Sequence, residues 1–307
     1  MIPQLLLYKI MQLFAVMLLG FIIVKAKVVK STDSLVLSKI SLYLLMPANI
    51  IAAFNVKITD EIVEGILLSL IAAVVIHILL LIIDFLYKKI FHGTPVERAS
   101  IIYSNAANLI IPIVAFILGD EWVIYSCTYV SVQLVLIWTQ GVTLFSKQEK
   151  FNLKKILLNT NIIAIAVGAT LMITGIRLPK FASDLSSSLG TMIGNIGMLI
   201  AGMTAADMNF KKMLANKRLY LVTLMRNVIC PFIILLLLRG VLPYIPVENA
   251  SEILLVTFLA TMTPSAAMMM QFAQVYNTEI EYSVAINIIT TVVCIATMPV
   301  LVWLYSI

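Results

Sequence analysis

Long apolar stretches, separated by short polar ones, make up most of this sequence. Each apolar stretch contains about 20 residues, which is the length that a helix needs to cross a lipid bilayer. The pattern therefore predicts ten membrane-spanning helices, which we number as segments one to ten. They cover residues 3–24, 35–55, 62–87, 98–118, 121–145, 156–175, 182–206, 217–240, 250–274 and 280–304.

Two of these segments contain polar residues and a proline near their middle. In segment four, "SNAANLIIPIVAF", Asn105, Asn108 and Pro112 are spaced so that a helix would place them on one face. Proline removes a backbone donor and clashes with the preceding turn, so the helix is expected to break near Pro112. Segment nine, "LATMTPSAAMMMQF", is expected to break in the same way near Pro264.

The two prolines indicate an internal repeat. Pro264 lies 152 residues after Pro112, and residues 1–150 and 151–307 hold five segments each. A unit with an odd number of spans must be inverted in the membrane when it is repeated in tandem, and paired interruptions at corresponding positions are typical of inverted-repeat transporters. The predicted fold is thus an all-α membrane protein of ten helices in two inverted five-helix repeats, with helices four and nine broken and crossed.

The predicted breaks also suggest what the protein binds. If the second half-helices begin at Pro112 and Pro264, where a missing N–H costs nothing, their N-termini point at one central region. Helix N-termini carry free N–H groups and partial positive charge, which attract an anion.

Composition supports a membrane location, since 62% of the residues are hydrophobic and 12% are charged, against about 25% charged in soluble domains. With both termini outside the cytoplasm, fifteen Lys and Arg residues flank the inner ends of the segments and four flank the outer ends. This bias follows the positive-inside rule. The net charge of +6 therefore reflects topology in a cell membrane and not nucleic-acid binding.

Motifs for catalysis or for metal binding are missing from the sequence. It has no HExxH, no GxSxG and only two histidines, and Cys127, Cys230 and Cys294 lie in apolar segments without metal-ligand spacing. We therefore expect a protein that is not an enzyme and has no cofactor or metal.

Several motifs resemble those of the auxin efflux carrier family, which includes plant PIN-type carriers and bacterial malate or malonate permeases. The similar stretches are "NAANLIIPIVAFILGDE", "LYLLMPANI", "NTNIIA", "LIAGMTAADM" and "RNVICP". The resemblance implies a scaffold domain formed by helices 1, 2, 6 and 7, and a transport domain formed by helices 3–5 and 8–10. It also implies a carboxylate substrate and a homodimer.

Candidate substrate-binding residues cluster at the predicted breaks and on the neighbouring segments five and ten. The alternative role for the two asparagines is to cap the first half-helix, and the polar stripe on segment ten often serves only to hold helices together. The predicted binding residues are Asn105, Asn108, Pro112, Gln133, Thr263, Pro264, Ser265 and Asn287.

Two ionisable residues inside the apolar segments are expected to pair with each other. Asp84 in segment three and Arg226 in segment eight are predicted to lie at similar depth. Charges inside a bilayer are rare and are usually paired, so we expect a structural or coupling ion pair between them.

The function that fits best is secondary transport of a small organic anion, a mono- or dicarboxylate, by alternating access, with the substrate bound where helices four and nine cross. The alternative is a sodium-coupled organic anion symporter of the bile-acid type, which also has crossed broken helices. A coupling proton is a candidate partner, and the lipid bilayer is expected to surround the protein.

Overall fold

The computed structural model describes residues 2–54, 59–146, 154 and 157–307. Regular structure in these ranges is helical, apart from one isolated β-bridge. The helices of the first half are α1 (Ile2–Lys25), α2 (Ser34–Ile40), α3 (Met46–Ala53), α4 (Asp60–Phe91), α5 (Pro95–Ile102), α6 (Ala106–Ile117), α7 (Val123–Leu136) and α8 (Val142–Phe145). Those of the second half are α9 (Thr160–Thr174), α10 (Lys180–Ala205), α11 (Phe210–Leu214), α12 (Lys217–Leu224), α13 (Cys230–Val241), α14 (Ala250–Met262), α15 (Ala267–Val275) and α16 (Ile280–Ser306).

Wider π-helical turns join some of these helices end to end. Ser41–Leu45 links α2 to α3, Ile137–Gly141 links α7 to α8, and Met225–Ile229 links α12 to α13. Such turns insert a residue into a helix and often occur at functional sites. The third of them carries Arg226, which is described below.

The helices are those of a multi-pass membrane protein. Within the described ranges, six helical stretches are long and apolar enough to cross a bilayer. Large apolar side chains such as Leu67 and Phe85 are exposed on the outside of these helices, as expected for surfaces that face lipid. The number of ten spans and the inverted repeat stay predictions. The six stretches are Ser31–Ala52, Asp60–Phe91, Asp120–Phe145, Lys180–Ala205, Lys217–Tyr244 and Ile280–Ser306.

Segments four and nine are each interrupted. Segment nine is interrupted at residues 263–266, around Pro264 as predicted, although α15 begins three residues after the proline. Segment four is interrupted at residues 103–105, between α5 and α6. The prediction of a break at Pro112 was wrong, because that proline lies inside α6. We call residues 103–105 and 263–266 together the junction.

Pro112 does not break α6 because a proline inside a membrane helix removes only one hydrogen-bond donor. Neighbouring helices and small backbone adjustments can compensate for that loss. The chain departs from helix earlier, where residues from other segments hold the backbone extended.

Packing divides the helices into two groups. In the first group, α10 packs on α1 and α3, and α3 packs on α9. The other group contains α4–α7 and α12–α16. Contacts between the groups run from α1 and α10 to α6 and α16, and from α3 and α9 to α7. The backbones of α1 and α10 approach each other closely at two glycines. A side chain at Gly20 would overlap the Leu199 carbonyl, and one at Gly202 would overlap the Met17 carbonyl.

This contact predicts a difference between two glycine substitutions. Gly202→Ala should lower the free energy of unfolding by about 1–3 kcal/mol, because the added methyl group forces α1 and α10 apart. Gly240→Ala, on a helix where nothing lies within 4 Å of the added carbon, is the matched control and should be neutral or slightly stabilising. Thermal unfolding of the purified variants in detergent measures both, and equal melting temperatures would contradict the close contact.

Candidate functional site

The two interruptions are paired with each other as a minimal antiparallel β-bridge between Ser104 and Ser265. The Asn105 N–H donates to the Pro264 carbonyl at 2.7 Å, and the Ala266 N–H donates to the Tyr103 carbonyl at 2.9 Å. An unpaired backbone group costs several kcal/mol in hydrocarbon. Each interruption therefore satisfies part of the backbone that the other leaves without a helical partner.

Gln133, on α7, holds the first interruption. Its side-chain oxygen accepts from the Ser104 N–H at 2.9 Å and from the Ser104 hydroxyl at 2.7 Å. Its side-chain nitrogen donates to the Ser104 carbonyl at 2.8 Å. The amide thus pairs with Ser104 as a neighbouring β-strand would, and keeps this residue extended.

Two residues of α16 hold the second interruption in a corresponding way. The Asn287 side-chain nitrogen donates to the Ser265 carbonyl at 2.7 Å, and the Thr290 hydroxyl accepts from the Ser265 N–H at 3.2 Å. Asn227, on the π-helical turn of segment eight, donates to the Thr290 carbonyl at 2.9 Å. Side chains from segments five, eight and ten therefore fix the extended conformation at the junction.

Two helices begin at the junction. Asn105 immediately precedes α6 and is buried, with 8% of its surface exposed. Its side-chain oxygen lies 3.5 Å from the Ala267 N–H at the start of α15. The first turns of α6 and α15, with their N–H groups and partial positive charge, therefore start beside each other.

Two other helices end at the junction, and Arg226 binds their C-termini. Its guanidinium is completely buried and donates to the Ile101 and Ile102 carbonyls of α5 at 3.0 and 3.4 Å. It also donates to the Thr261 carbonyl of α14 at 2.6 Å and to the Thr263 carbonyl at 2.8 and 3.2 Å. One side chain thereby satisfies carbonyls that both helices leave unpaired at their ends.

A helical bundle with two interrupted helices, paired at buried polar positions, suits several classes of membrane protein. A comparison with protein families decides between them. A family model described as "membrane transport protein" matches residues 5–302, nearly the whole chain. The chain belongs to this family, the auxin efflux carriers. A comparison with curated proteins found no match.

Membership in this family makes the chain a membrane transporter. It confirms the family predicted from the motifs at Asn105 and in segments two, six, seven and eight. It is also consistent with the prediction that the protein is not an enzyme. The described residues contain no group of three or more His, Cys, Asp or Glu side chains arranged for a metal.

The structure gives this transporter a different charge pairing from the predicted one. Asp84 binds Arg98 through two hydrogen bonds, from Nε at 2.8 Å and from Nη2 at 2.6 Å. In the part of the chain that is described, the predicted partner Arg226 instead binds backbone carbonyls. Spacing along the segments indicates depth in the membrane, but it does not indicate which helices are neighbours.

A second ion pair, between a buried glutamate and a half-exposed arginine, was not predicted. Glu97, on α5, is fully buried and accepts from Arg218 Nε at 2.7 Å and Nη2 at 2.8 Å, and from the Tyr282 hydroxyl at 3.0 Å. Its backbone and side chain also form a capping box with Thr94. The sequence Thr-Pro-x-Glu just before segment four is a signal for such a cap, although it does not reveal the distant arginine.

The predicted binding residues fall into two sets. Asn105, Gln133, Thr263, Pro264, Ser265 and Asn287 come together at the junction. The side chains of Asn108 and Pro112 lie outside the described part of the structure. An apolar cavity reaches the junction at Thr263 and Pro264, and its other lining residues include Leu13, Leu109 and Met198.

The observed ion pair predicts a specific energetic coupling. In a double-mutant cycle, Asp84→Asn and Arg98→Gln should couple by about 1–3 kcal/mol, because removing either partner leaves the other charge unpaired in a mostly buried place. The control cycle combines Asp84→Asn with Arg218→Gln, which belongs to the separate pair with Glu97, and should be additive within about 0.5 kcal/mol. Denaturant or thermal unfolding in detergent gives the unfolding free energies of the parent, the two single variants and the double variant in each cycle. Additive losses in the Asp84 and Arg98 cycle would argue against that ion pair.

Proposed function

We propose that this protein is a secondary transporter that moves a small organic anion, a carboxylate, across the cell membrane by alternating access, with the junction as the substrate-binding site. The observation that carries the proposal is the start of two helices, α6 and α15, beside each other at the junction. An anion that leaves water needs several hydrogen-bond donors at once, and adjacent helix N-termini supply them.

The electrostatic surroundings of the junction support an anionic substrate. The two acidic residues that are buried in the described part of the chain are neutralised, since Asp84 is paired with Arg98 and Glu97 with Arg218. Neutral amides and backbone N–H groups bind a carboxylate without a freely accessible full charge, which would slow its release.

The packing supports alternating access. The group of α1, α3, α9 and α10 contains the helices of segments one, two, six and seven, which is the expected scaffold domain. The junction and the residues that fix it all belong to the other group, the expected transport domain. We propose that the second group moves as a unit against the first, so that the junction opens to each side in turn.

We propose that a cavity between α3 and α10 on one side and α6 on the other is the outer part of the substrate's path to the junction. It has a volume of about 380 Å³ and is lined by residues of α3, α6 and α10, including Asn49, Ile111 and Thr191. Cavities that hold small ligands measure roughly 300–1,000 Å³. With both termini outside the cytoplasm, as the charge bias indicates, this cavity lies toward the outer side of the membrane.

We assign different tasks to the polar side chains of the junction. Gln133 and Asn287 use their amides to hold Ser104 and Ser265, so they shape the site and contribute to substrate contact through what remains of their hydrogen-bonding capacity. Asn105 stands at the start of α6 and close to α15, and we propose it as the direct contact to the carboxylate. Asn108, Pro112, Thr263 and Pro264 complete the proposed set.

The proposed function predicts losses of binding of different size for two substitutions of Asn105. Asn105→Ala should weaken carboxylate binding by about 1–3 kcal/mol, the cost of leaving a buried polar group unsatisfied. Asn105→Asp keeps the shape but places a negative charge where the anion binds, and should abolish binding at neutral pH. Because protonation removes that charge, binding to the aspartate variant should partly return at low pH.

Ligand-induced thermal stabilisation of the purified protein, with a panel of mono- and dicarboxylates, measures these effects. Running the panel with and without sodium separates the main proposal from the alternative, a sodium-coupled symporter of the bile-acid type. Uptake into proteoliposomes with an imposed pH gradient tests a coupling proton. A correctly folded Asn105→Asp protein that binds carboxylates as well as the parent would rule out the junction as the anion site.

A further inference from the structure

We infer that Arg226 sets the charge balance of the junction so that its preferred ligand is an anion with a single negative charge. This inference rests on the proposed function and names the substrate class more narrowly. It makes Arg226 a residue that determines specificity through the electrostatics of the site and not through direct contact with the substrate.

Arg226 is a permanent cation in the centre of the protein. Its side chain is completely buried, and every hydrogen bond that the structure gives it goes to a neutral backbone carbonyl. The buried carboxylates of Asp84 and Glu97 are each bound by another arginine. Arg226 therefore has no carboxylate partner within the described residues, which is unusual for a charge at this depth.

The carbonyls that Arg226 binds belong to two helix C-termini. A helix end carries roughly half an elementary charge, negative at the C-terminus and positive at the N-terminus. The ends of α5 and α14 together place about one negative charge at the junction, and Arg226 cancels it. Without this cation, the partial charges of the four helix ends would sum to about zero. The junction would then have little preference for an anion.

With Arg226 present, the starts of α6 and α15 are left uncompensated. Together they contribute about one positive charge. A singly charged carboxylate neutralises it, a doubly charged one leaves an excess negative charge in a buried place, and a neutral ligand leaves the positive charge unmatched. The charge balance therefore favours a monoanion over a dianion and over a neutral ligand.

Arginine is suited to this position because its planar guanidinium can donate in several directions at once. It spans the ends of both α5 and α14, whereas a lysine ammonium is a more compact charge with fewer donors. Replacing Arg226 directly would remove these hydrogen bonds as well as the charge. A test of the charge alone must leave Arg226 in place.

Cys230 offers such a test. It follows Arg226 by four positions on the continuous helix of segment eight and is fully buried. The two residues therefore lie on neighbouring turns of the same helix. In Cys230→Asp the new carboxylate should pair with Arg226 and cancel its charge, while Cys230→Asn has nearly the same shape without the charge. The probes are butyrate, its neutral amide butyramide, and succinate, which carries two charges at neutral pH.

Binding is measured by thermal shift and by calorimetry on the full-length protein in detergent at pH 7. We expect Cys230→Asp to bind butyrate at least about tenfold more weakly than Cys230→Asn, with a much smaller change for butyramide. The unmodified protein should bind butyrate about tenfold or more tightly than succinate and butyramide. This second comparison needs no variant, so it tests the inference even if a substitution prevents folding.

The outcomes separate this inference from the function on which it rests. If the unmodified protein binds carboxylates but prefers succinate, or if the two Cys230 variants bind butyrate equally, the charge balance assigned to Arg226 is wrong while anion transport stands. If the unmodified protein binds no carboxylate of any charge, the proposed function itself fails, and the inference fails with it.

Discussion

The junction depends on the binding of helix C-termini by Arg226. Two helices that stop in the middle of a membrane expose carbonyls that no water can reach, and each unsatisfied group would be costly. The guanidinium satisfies carbonyls of both α5 and α14 and brings these two ends together around one side chain. Burial of a charged group is itself costly, and here the carbonyl dipoles replace part of its lost hydration.

The remaining polar groups of the junction are paired in a similar way on both sides. Gln133 binds the backbone of Ser104, and Asn287 with Thr290 binds the backbone of Ser265. The serines in turn face each other across the bridge. The extended backbone is therefore held by side chains on uninterrupted parts of other helices, which gives the junction a defined shape instead of a flexible one.

The ion pairs of the second helix group reinforce this arrangement at a distance from the junction. Glu97 connects α5 to Arg218 of α12 and to Tyr282 of α16, and Arg98 connects α5 to Asp84 of α4. α5 is short, and its adjacent Glu97 and Arg98 bind three other helices. These contacts, together with Arg226, tie the elements that carry the junction into one unit, as a rigid-body motion in transport would require.

The sequence by itself determined the membrane class, the family, the interruption at Pro264 and most of the residues that meet at the junction. The family follows from the resemblance of short motifs, and the rest follows from composition, from apolar periodicity and from polar residues in apolar surroundings, all of which are local. The position of the break in segment four and the partner of Arg226 were decided only by tertiary structure. Local sequence indicated Pro112, but the chain leaves the helix at Ser104, because Ser265 and Gln133 from other segments pair with it there. Arg226 was predicted to pair with Asp84, but it binds the unpaired carbonyls at the ends of the interrupted helices. These carbonyls come together only once the chain has folded, so no local pattern in the sequence indicates them.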